Sequence, residues 1–172
     1  MMTRNQKPKG EYMQLNYLYM DSPVGQLQLV AHDQALVAVL WDCEMPNRVK
    51  LAELHEDQTH PILLKTRRQL LEYFQGKRKC FDIPLDFAGT EFQQKVWQAL
   101  LEIPFGETRS YKQIAEQIGN AKAVRAVGAA NGKNPISIIA PCHRVIGSTG
   151  KLVGFAGGLD KKEILLNIEK PN

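Results

Sequence analysis

The stretch "YKQIAEQIGNAKAVRAVGAANGKNP", Tyr111 to Pro135, predicts two short helices separated by a turn at Gly119-Asn120. Apolar residues recur at helical spacing on both sides of this turn. They are Ile114, Ala115, Ile118, Val124 and Val127. Two short helices joined through a glycine turn are typical of a helix-turn-helix, although they also occur in proteins that never bind DNA. The segment therefore favours a DNA-binding fold without requiring one.

The second of these helices is almost bare of long side chains. Its small residues are Ala123, Ala126, Gly128, Ala129 and Ala130, and Arg125 is its one long side chain. A helix that reads base edges in the major groove normally carries several long polar side chains. A smooth helix with one arginine instead suits a close approach to the minor groove, with the arginine entering the base stack. Tight helix packing with a surface arginine is the alternative interpretation.

Downstream, the stretch "NPISIIAPCHRVIG" at 134–147 places Cys142 beside His143 at the end of an apolar run that resembles a strand. Such a cysteine is most often an inert core residue. Pro141 and the polar pair His143-Arg144 make Cys142 a candidate nucleophile instead. Burial raises the pKa of a thiol, so a reactive Cys142 needs a base, and His143 is the nearest candidate. Neighbouring side chains on a strand point to opposite faces, so this pairing requires a turn or a bridging water.

The N-terminal half alternates apolar and polar residues in "LNYLYM", "GQLQLVAH" and "ALVAVLW", which predicts a three-stranded antiparallel sheet. A helix is expected from about Pro61 to Gln75, with Leu64, Leu71 and Phe74 on the side that covers the sheet. A Pro-interrupted, mixed segment follows, and it suggests a domain boundary near Ala88.

The C-terminal half begins with "TEFQQKVWQALLEIP", where Thr90 and Gln93 can form a capping box. The expected buried side of this helix consists of Phe92, Val96, Trp97, Leu100 and Leu101. The glycine-rich segment "GSTGKLVGFAGG" can form one wall of a pocket for a flat ligand. A last helix, "LDKKEILLNIEK", ends near Glu169.

Composition restricts the class of protein. The 172 residues carry a net charge of +4. Residues 109–151 contain seven basic residues and one acidic residue. This bias favours a polyanionic partner, with a solvated basic surface as the alternative. The three cysteines lack the spacing of a disulfide framework or a zinc site. Without an apolar membrane segment or signal sequence, we expect a cytoplasmic chain that does not bind membranes.

The motif "PCHRV", with "RAVGAANGKNP" before it and "GFAGG" after it, resembles the O6-alkylguanine-DNA alkyltransferase family over about Thr90 to Lys170. "LLEYFQG" is the best match in the N-terminal half. The resemblance implies an α+β fold. Residues 1–88 would form a ribonuclease-H-like domain with a three-stranded antiparallel sheet and a helix. Residues 89–172 would form a mainly helical domain with a winged-helix-like helix-turn-helix, which binds DNA and holds the alkyl acceptor.

The implied activity is stoichiometric transfer of the alkyl group of O6-alkylguanine, in double-stranded DNA, to an internal cysteine after nucleotide flipping. Activity on O4-alkylthymine stays open. The protein would act as a monomer without cofactor or metal and would bind DNA through the minor groove. Some relatives have a tyrosine and a serine in place of Phe155 and Ala156, a difference that bears on which alkyl groups are accepted.

The resemblance also implies roles for individual residues. Cys142 would accept the alkyl group, His143 would act as base through a water, and Glu169 would orient His143. Asn134 would tie the surrounding chain by hydrogen bonds, and Tyr111 would donate to the leaving guanine. The implied DNA contacts are Arg125, Tyr111, Lys112, Ala123, Ala126, Gly128, Ala129 and Ser148, with Arg125 filling the space of the flipped base. The implied base pocket comprises Val145, Phe155 and Ala156.

Three other functions are compatible with parts of the sequence. A catalytically silent binder of damaged DNA would keep the fold but lack the acceptor cysteine, which is present here as Cys142. A cysteine hydrolase using Cys142, His143 and Glu169 would turn over and would have no use for Arg125. A transcription regulator would dimerise on a palindromic site and would need base-reading side chains.

Overall fold

A computed structural model describes residues 14–150, 152 and 154–171. The basic N-terminal segment that the sequence suggests as a loose leader lies outside these residues, apart from Gln14. No helix formed by the described residues is both long and apolar enough to cross a bilayer.

The N-terminal sheet contains the three predicted antiparallel strands, β1 (Leu15–Met20), β2 (Leu27–Ala31) and β3 (Leu36–Leu40). It also contains a fourth strand, β4 (Leu54–Glu56), which pairs with β1 in parallel, so the strand order is β3-β2-β1-β4. The prediction of three strands was therefore incomplete. Strand β4 has only three residues and they are largely exposed, so no alternation of buried and exposed positions marks it in the sequence.

Helix α1 (Pro61–Phe74) covers one face of this sheet, and its bounds agree with the prediction within one residue. Its buried side is formed by Leu63, Leu70 and Tyr73, whereas Leu71 is 42% exposed. Of the predicted side, Leu64 and Phe74 are partly buried against the core, at its margin, and only Leu71 was wrong. The two sets have the same helical spacing and similar apolarity, so the pattern alone cannot decide between them.

Helix α2 (Glu91–Leu101) begins with the predicted capping box of Thr90 and Gln93. Val96, Trp97 and Leu100 are buried as expected, but Leu101 at the C-terminal end is 39% exposed. The helix-turn-helix is also confirmed, because α3 (Tyr111–Gln117) and α4 (Val124–Gly132) flank a turn in which Gly119 adopts a φ of +81°. Glycine occupies such left-handed conformations without the steric cost that other residues incur.

The remaining elements, two short strands and one helix, complete the C-terminal half. Strand β5 (Arg109–Ser110) pairs in parallel with β6 (Val145–Ile146), and helix α5 (Leu159–Ile168) ends the fold. Both halves share one hydrophobic core, and the Val39 amide donates a hydrogen bond of 2.9 Å to the Pro135 carbonyl. This close packing brings residues of the N-terminal half to the segment that carries Cys142.

Candidate functional site

Cys142 lies in a single 3₁₀ turn, Cys142–Arg144, and is 3% exposed. The predicted strand before it is wrong: the Ala140 amide bonds back to the Ile136 carbonyl, and Ile138 has a φ of +74°. These local hydrogen bonds replace strand pairing, so the apolar run folds as buried turns. A contact between the Cys142 and His143 side chains requires a turn at these residues. That turn is present.

Asn134 organises these turns from within. Its fully buried side chain accepts a hydrogen bond from the Ile136 amide at 3.0 Å and donates one to the Ala140 carbonyl at 2.8 Å. Arg48, from the N-terminal half, donates to the backbone carbonyls of Asn134 at 2.8 Å and of Gly132 at 3.2 Å. The end of α4 and the loop before Cys142 are therefore held together by one asparagine and one arginine. No pattern in the sequence indicates this role for Arg48.

His143 and Glu169 meet as predicted. Nε2 of His143 lies 2.6 Å from Oε2 of Glu169, and both residues are almost fully buried. Arg144 donates to both oxygens of the same carboxylate, from Nε at 2.7 Å and from Nη2 at 3.0 Å. Tyr73 of α1 donates its hydroxyl to Oε2 at 2.5 Å. Neither Tyr73 nor Arg144 was among the predicted site residues, because their partners lie far away along the chain.

The pKa values of Glu169 and His143 reflect both their burial and their hydrogen bonds. Burial alone would raise the pKa of Glu169, but the hydrogen bonds from His143, Arg144 and Tyr73 outweigh it and hold the pKa at about 2. Glu169 is therefore ionised at neutral pH. Burial lowers the pKa of His143, although the hydrogen bond to Glu169 opposes this effect. An imidazole that is neutral at neutral pH can accept a proton.

Burial raises the pKa of the Cys142 thiol. A hydrogen bond from Asn134 and the positive charges of Arg48 and Lys162 offset part of that rise. Lys162 of α5 is fully buried, and its Nζ donates to the Val145 carbonyl at 2.7 Å. Val145, a predicted pocket residue, is itself fully buried beside the cysteine turn.

Tyr111 is partly buried at the start of α3 and lies close enough to Cys142 to feel its charge. Burial and the Cys142 thiolate raise the pKa of Tyr111, whereas a hydrogen bond from Asn131 lowers it. Asn131 also donates to the Cys142 carbonyl at 3.5 Å. Its Oδ1 is buried without a hydrogen bond among the described residues. The sequence does not indicate this role for Asn131, because it is one polar residue in a helix of mostly small residues.

The glycine-rich loop is held against the N-terminal half. The ring of Phe155 packs edge-to-face on Trp41 with centroids 5.4 Å apart, and Nε1 of Trp41 donates to Ser137 Oγ at 3.1 Å. A Cβ at Gly157 would lie 2.9 Å from the Trp41 ring, so glycine is required there. Phe155 and Ala156 are both partly buried beside the core. Trp41 thus supports the loop that the sequence predicts as one wall of a pocket.

The predicted DNA-contacting residues divide into exposed and partly buried positions. Those exposed are Lys112, Arg125, Ala126, Ala129 and Ser148, and those partly buried are Tyr111, Ala123 and Gly128. Helix α4 is held on its buried side, because Nε1 of Trp97 donates a hydrogen bond to the Ala130 carbonyl at 2.8 Å. A Cβ at Gly128 would lie 3.8 Å from the Tyr111 ring, so the smooth side of α4 adjoins Tyr111. No cluster of three or more His, Cys, Asp or Glu in the described part of the chain could hold a metal ion.

Comparisons with known proteins agree with this geometry. Residues 15–87 match the family model "6-O-methylguanine DNA methyltransferase, ribonuclease-like domain", and residues 91–171 match "6-O-methylguanine DNA methyltransferase, DNA binding domain". The methylated-DNA–protein-cysteine methyltransferase of Mycobacterium tuberculosis is 48% identical over 158 residues, which cover 91% of this chain and 93% of that protein. The enzyme of the same name from Methanosarcina acetivorans is 48% identical over 155 residues, covering 89% and 97%.

The crystal structure of Mycobacterium tuberculosis OGT in complex with DNA superposes with a TM-score of 0.82 at 48% identity, covering 90% of this chain and 92% of that one. The α+β fold and the resemblance inferred from the sequence are thereby confirmed. The chain belongs to the 6-O-methylguanine DNA methyltransferase family, the DNA-binding methylated-DNA–protein-cysteine methyltransferases that repair DNA by methyl transfer to a cysteine.

Proposed function

We propose that Cys142 is the acceptor and that each molecule removes one alkyl group from O6-alkylguanine in double-stranded DNA. The observation that carries this proposal is the placement of the three cysteines. Cys142 is buried beside the His143–Glu169 pair, whereas Cys43 and Cys80 are exposed, and within the described residues neither makes a hydrogen bond to that pair. A reaction that needs an activated thiol therefore has one suitable site.

The hydrogen bonds of His143 support a route by which the thiol loses its proton. Because Glu169 is ionised, Nε2 of His143 carries the hydrogen that is donated to it, and Nδ1 is left with a lone pair. Nδ1 is buried and makes no hydrogen bond within the described residues. It can therefore take the thiol proton, directly or through a water. The resulting imidazolium is stabilised by the carboxylate of Glu169.

In the transfer step, a bond forms between the Cys142 sulfur and the alkyl carbon while the bond between that carbon and guanine O6 breaks. The electron pair of the broken bond stays on the guanine, which gains a proton in exchange. Tyr111, next to Cys142, is the proposed donor. The product is a thioether, and no group in this site can break its carbon–sulfur bond. The protein is therefore used once, and neither cofactor nor metal takes part.

The base must leave the helix to reach a thiol that is 3% exposed. Unstacking and unpairing cost on the order of a few kcal/mol. We assign this step to α4, which would enter the minor groove with its small residues and insert Arg125 into the vacated stack. Lys112 and Ser148 would contact the backbone, and the flipped guanine would lie among Val145, Phe155 and Ala156. Activity on O4-alkylthymine stays open.

We propose that the protein acts as a monomer, as the family resemblance implies. The division into domains of residues 1–88 and 89–172 and the cytoplasmic location are retained as proposals from the sequence. Experiments would distinguish the three alternative functions from this proposal. A silent binder would retain damaged DNA without being modified, a hydrolase would turn over, and a regulator would select a palindromic sequence.

The acceptor is tested with three matched variants, Cys142→Ala, Cys43→Ala and Cys80→Ala, each incubated with duplex DNA whose O6-methylguanine carries a labelled methyl group. We expect label on the wild type and on the variants at residues 43 and 80, and none on Cys142→Ala. DNA binding by Cys142→Ala should be nearly unchanged. Labelling of Cys142→Ala would refute the assignment of the acceptor. An unlabelled wild-type protein that still binds the DNA would indicate the silent binder.

A further inference from the structure

Tyr73 belongs to the motif "LLEYFQG" of the N-terminal half, to which the proposed mechanism gives no role. It is fully buried on α1, and its hydroxyl donates to Oε2 of Glu169, which lies 96 residues further along the chain. Burying a phenol hydroxyl is costly unless it finds a hydrogen-bond partner. In the described residues that partner is the carboxylate that orients the proposed base.

The Glu169 carboxylate is held by three side chains from two elements, α1 and the 3₁₀ turn Cys142–Arg144. Oε2 accepts from Tyr73 of α1, from Nε2 of His143 and from Nη2 of Arg144, while Oε1 accepts from Nε of Arg144. Arg144 is fixed in turn by donating to the Ile103 carbonyl at 2.6 Å. Tyr73 and His143 therefore share one acceptor oxygen. Two donors that share one acceptor oxygen weaken each other, so the Tyr73 hydroxyl weakens the hydrogen bond that His143 makes to Oε2.

The ring and the hydroxyl of Tyr73 have separable roles. The ring packs against Phe81 with centroids 5.5 Å apart and edge-to-face against Phe105 at 6.2 Å. Phenylalanine would fill the same space and keep these contacts. The hydroxyl adds the hydrogen bond to Glu169, so removing it alone separates packing from chemistry.

We propose that Tyr73 is a positioning residue for alkyl transfer, whose hydroxyl fixes the Glu169 carboxylate against His143 and limits how strongly that carboxylate stabilises protonated His143. This inference rests on the proposed function, because it assumes that His143 acts as the base. It gives one residue of the N-terminal half a part in the reaction, although that half carries none of the proposed reacting atoms.

The charged and titratable groups around His143 agree with this role. Lys162 faces it from α5 and Glu169 from the residue after that helix, Arg144 and Cys142 face it from its own turn, and Tyr73 reaches Glu169 from α1. Burial lowers the pKa of His143, and the hydrogen bond to Glu169 opposes that effect. Without the Tyr73 hydroxyl, Glu169 would attract the imidazolium more strongly, and the pKa of His143 would rise. More of the base would then be protonated at a given pH.

The test is the pH dependence of the rate at which Tyr73→Phe transfers the benzyl group of free O6-benzylguanine to Cys142. The free base is used because DNA binding has its own pH dependence. We expect the acid limb of the profile to move to higher pH by about one unit. Leu70→Ala is the control, since Leu70 is also fully buried on α1. It should lower the melting temperature and leave the profile in place.

A second replacement covers the case in which Tyr73→Phe does not fold. Site-specific 3-fluorotyrosine at position 73 keeps the hydroxyl and makes it a stronger donor, so the acid limb should move to lower pH. Profiles that coincide with the wild type for whichever of these proteins fold would overturn the role of Tyr73. Failure of the wild type to become benzylated at Cys142 would instead overturn the proposed function.

Discussion

At the scale of single residues, the site depends on groups that are unfavourable when buried singly. Cys142 is 3% exposed, and His143 and Glu169 are enclosed with it. Glu169 is tolerated because Arg144 compensates its charge and Tyr73 and His143 complete its hydrogen bonds. The same arrangement leaves Nδ1 of His143 as the acceptor for the thiol proton. One carboxylate thus supports both the stability of the C-terminal half and the reactivity of the thiol.

Glu169→Gln should therefore impair stability and reaction together. It leaves the positive charge of Arg144 buried without its partner, which costs about 3 kcal/mol of the free energy of unfolding. It also removes the charge that supports the imidazolium, so transfer should slow by about tenfold or more. Urea unfolding and single-turnover labelling measure the two effects. The control is Glu163→Gln, an exposed acid of the same helix, which should change neither; equal behaviour of the two variants would contradict the assigned role.

At the scale of elements, the turn at Gly119 aligns α3 and α4 so that Tyr111 and the smooth side of α4 adjoin. Helix α4 is anchored from behind by Trp97, and Arg125 is exposed on it. The buried side of α4 thus positions the helix, while its exposed side offers a surface that can approach DNA closely. The structure gives Arg125 no ion pair within the described residues that would have to be broken first.

Arg125→Ala tests whether α4 assists nucleotide flipping. Transfer from duplex DNA should slow by roughly tenfold to a hundredfold, because extrusion loses the side chain that fills the stack. Reaction with free O6-benzylguanine requires no extrusion and should keep its wild-type rate. The matched control is Lys122→Ala, which removes an exposed charge just before α4 and should weaken DNA binding without slowing transfer at saturating DNA. Equal losses for Arg125→Ala on both substrates would refute the assignment.

At the scale of the whole molecule, three side chains of the N-terminal half support the reacting half. Trp41 packs on Phe155, Arg48 holds the backbone before Cys142, and Tyr73 holds Glu169. The two halves also share one hydrophobic core. We therefore expect unfolding of the N-terminal half to abolish transfer even though all the proposed reacting atoms lie in the other half.

The buried ionisable groups also predict how stability depends on pH. The pKa of Glu169 falls from 4.5 to about 2 on folding, so its contribution is complete above pH 4.5 and is lost as the pH falls towards 2. The pKa of His143 also falls on folding, from 6.5, so the unfolded chain binds its proton first and stability declines as the pH drops below that value. Both effects destabilise the protein in acid.

Urea unfolding measured from neutral to acidic pH should show this decline in two stages. In Glu169→Gln the stage below pH 4.5 should be much shallower, because the variant has no carboxyl group to protonate. Parallel curves for the variant and the wild type in that range would show that Glu169 is not the group responsible.

Local signals predicted local structure well. The capping box at Thr90 and the Gly119 turn depend on residues a few positions apart, and both were confirmed. Features that depend on distant partners were missed: strand β4, the exposure of Leu71 on α1, and the contacts of Tyr73 and Arg48. The apolar run before Cys142 was predicted as a strand, because composition does not show that Asn134 holds it in turns. The resemblance supplied Glu169 as a partner of His143, which spacing alone could not provide.

The most direct test of single use is intact-protein mass spectrometry after incubation with excess duplex DNA containing O6-methylguanine, followed by peptide mapping and a second addition of fresh DNA. We predict that each molecule gains the mass of one methyl group in place of hydrogen, on Cys142, and that the second addition repairs nothing further. Repeated repair by the same molecules, or a methyl group on another residue, would contradict Cys142 as a single-use acceptor.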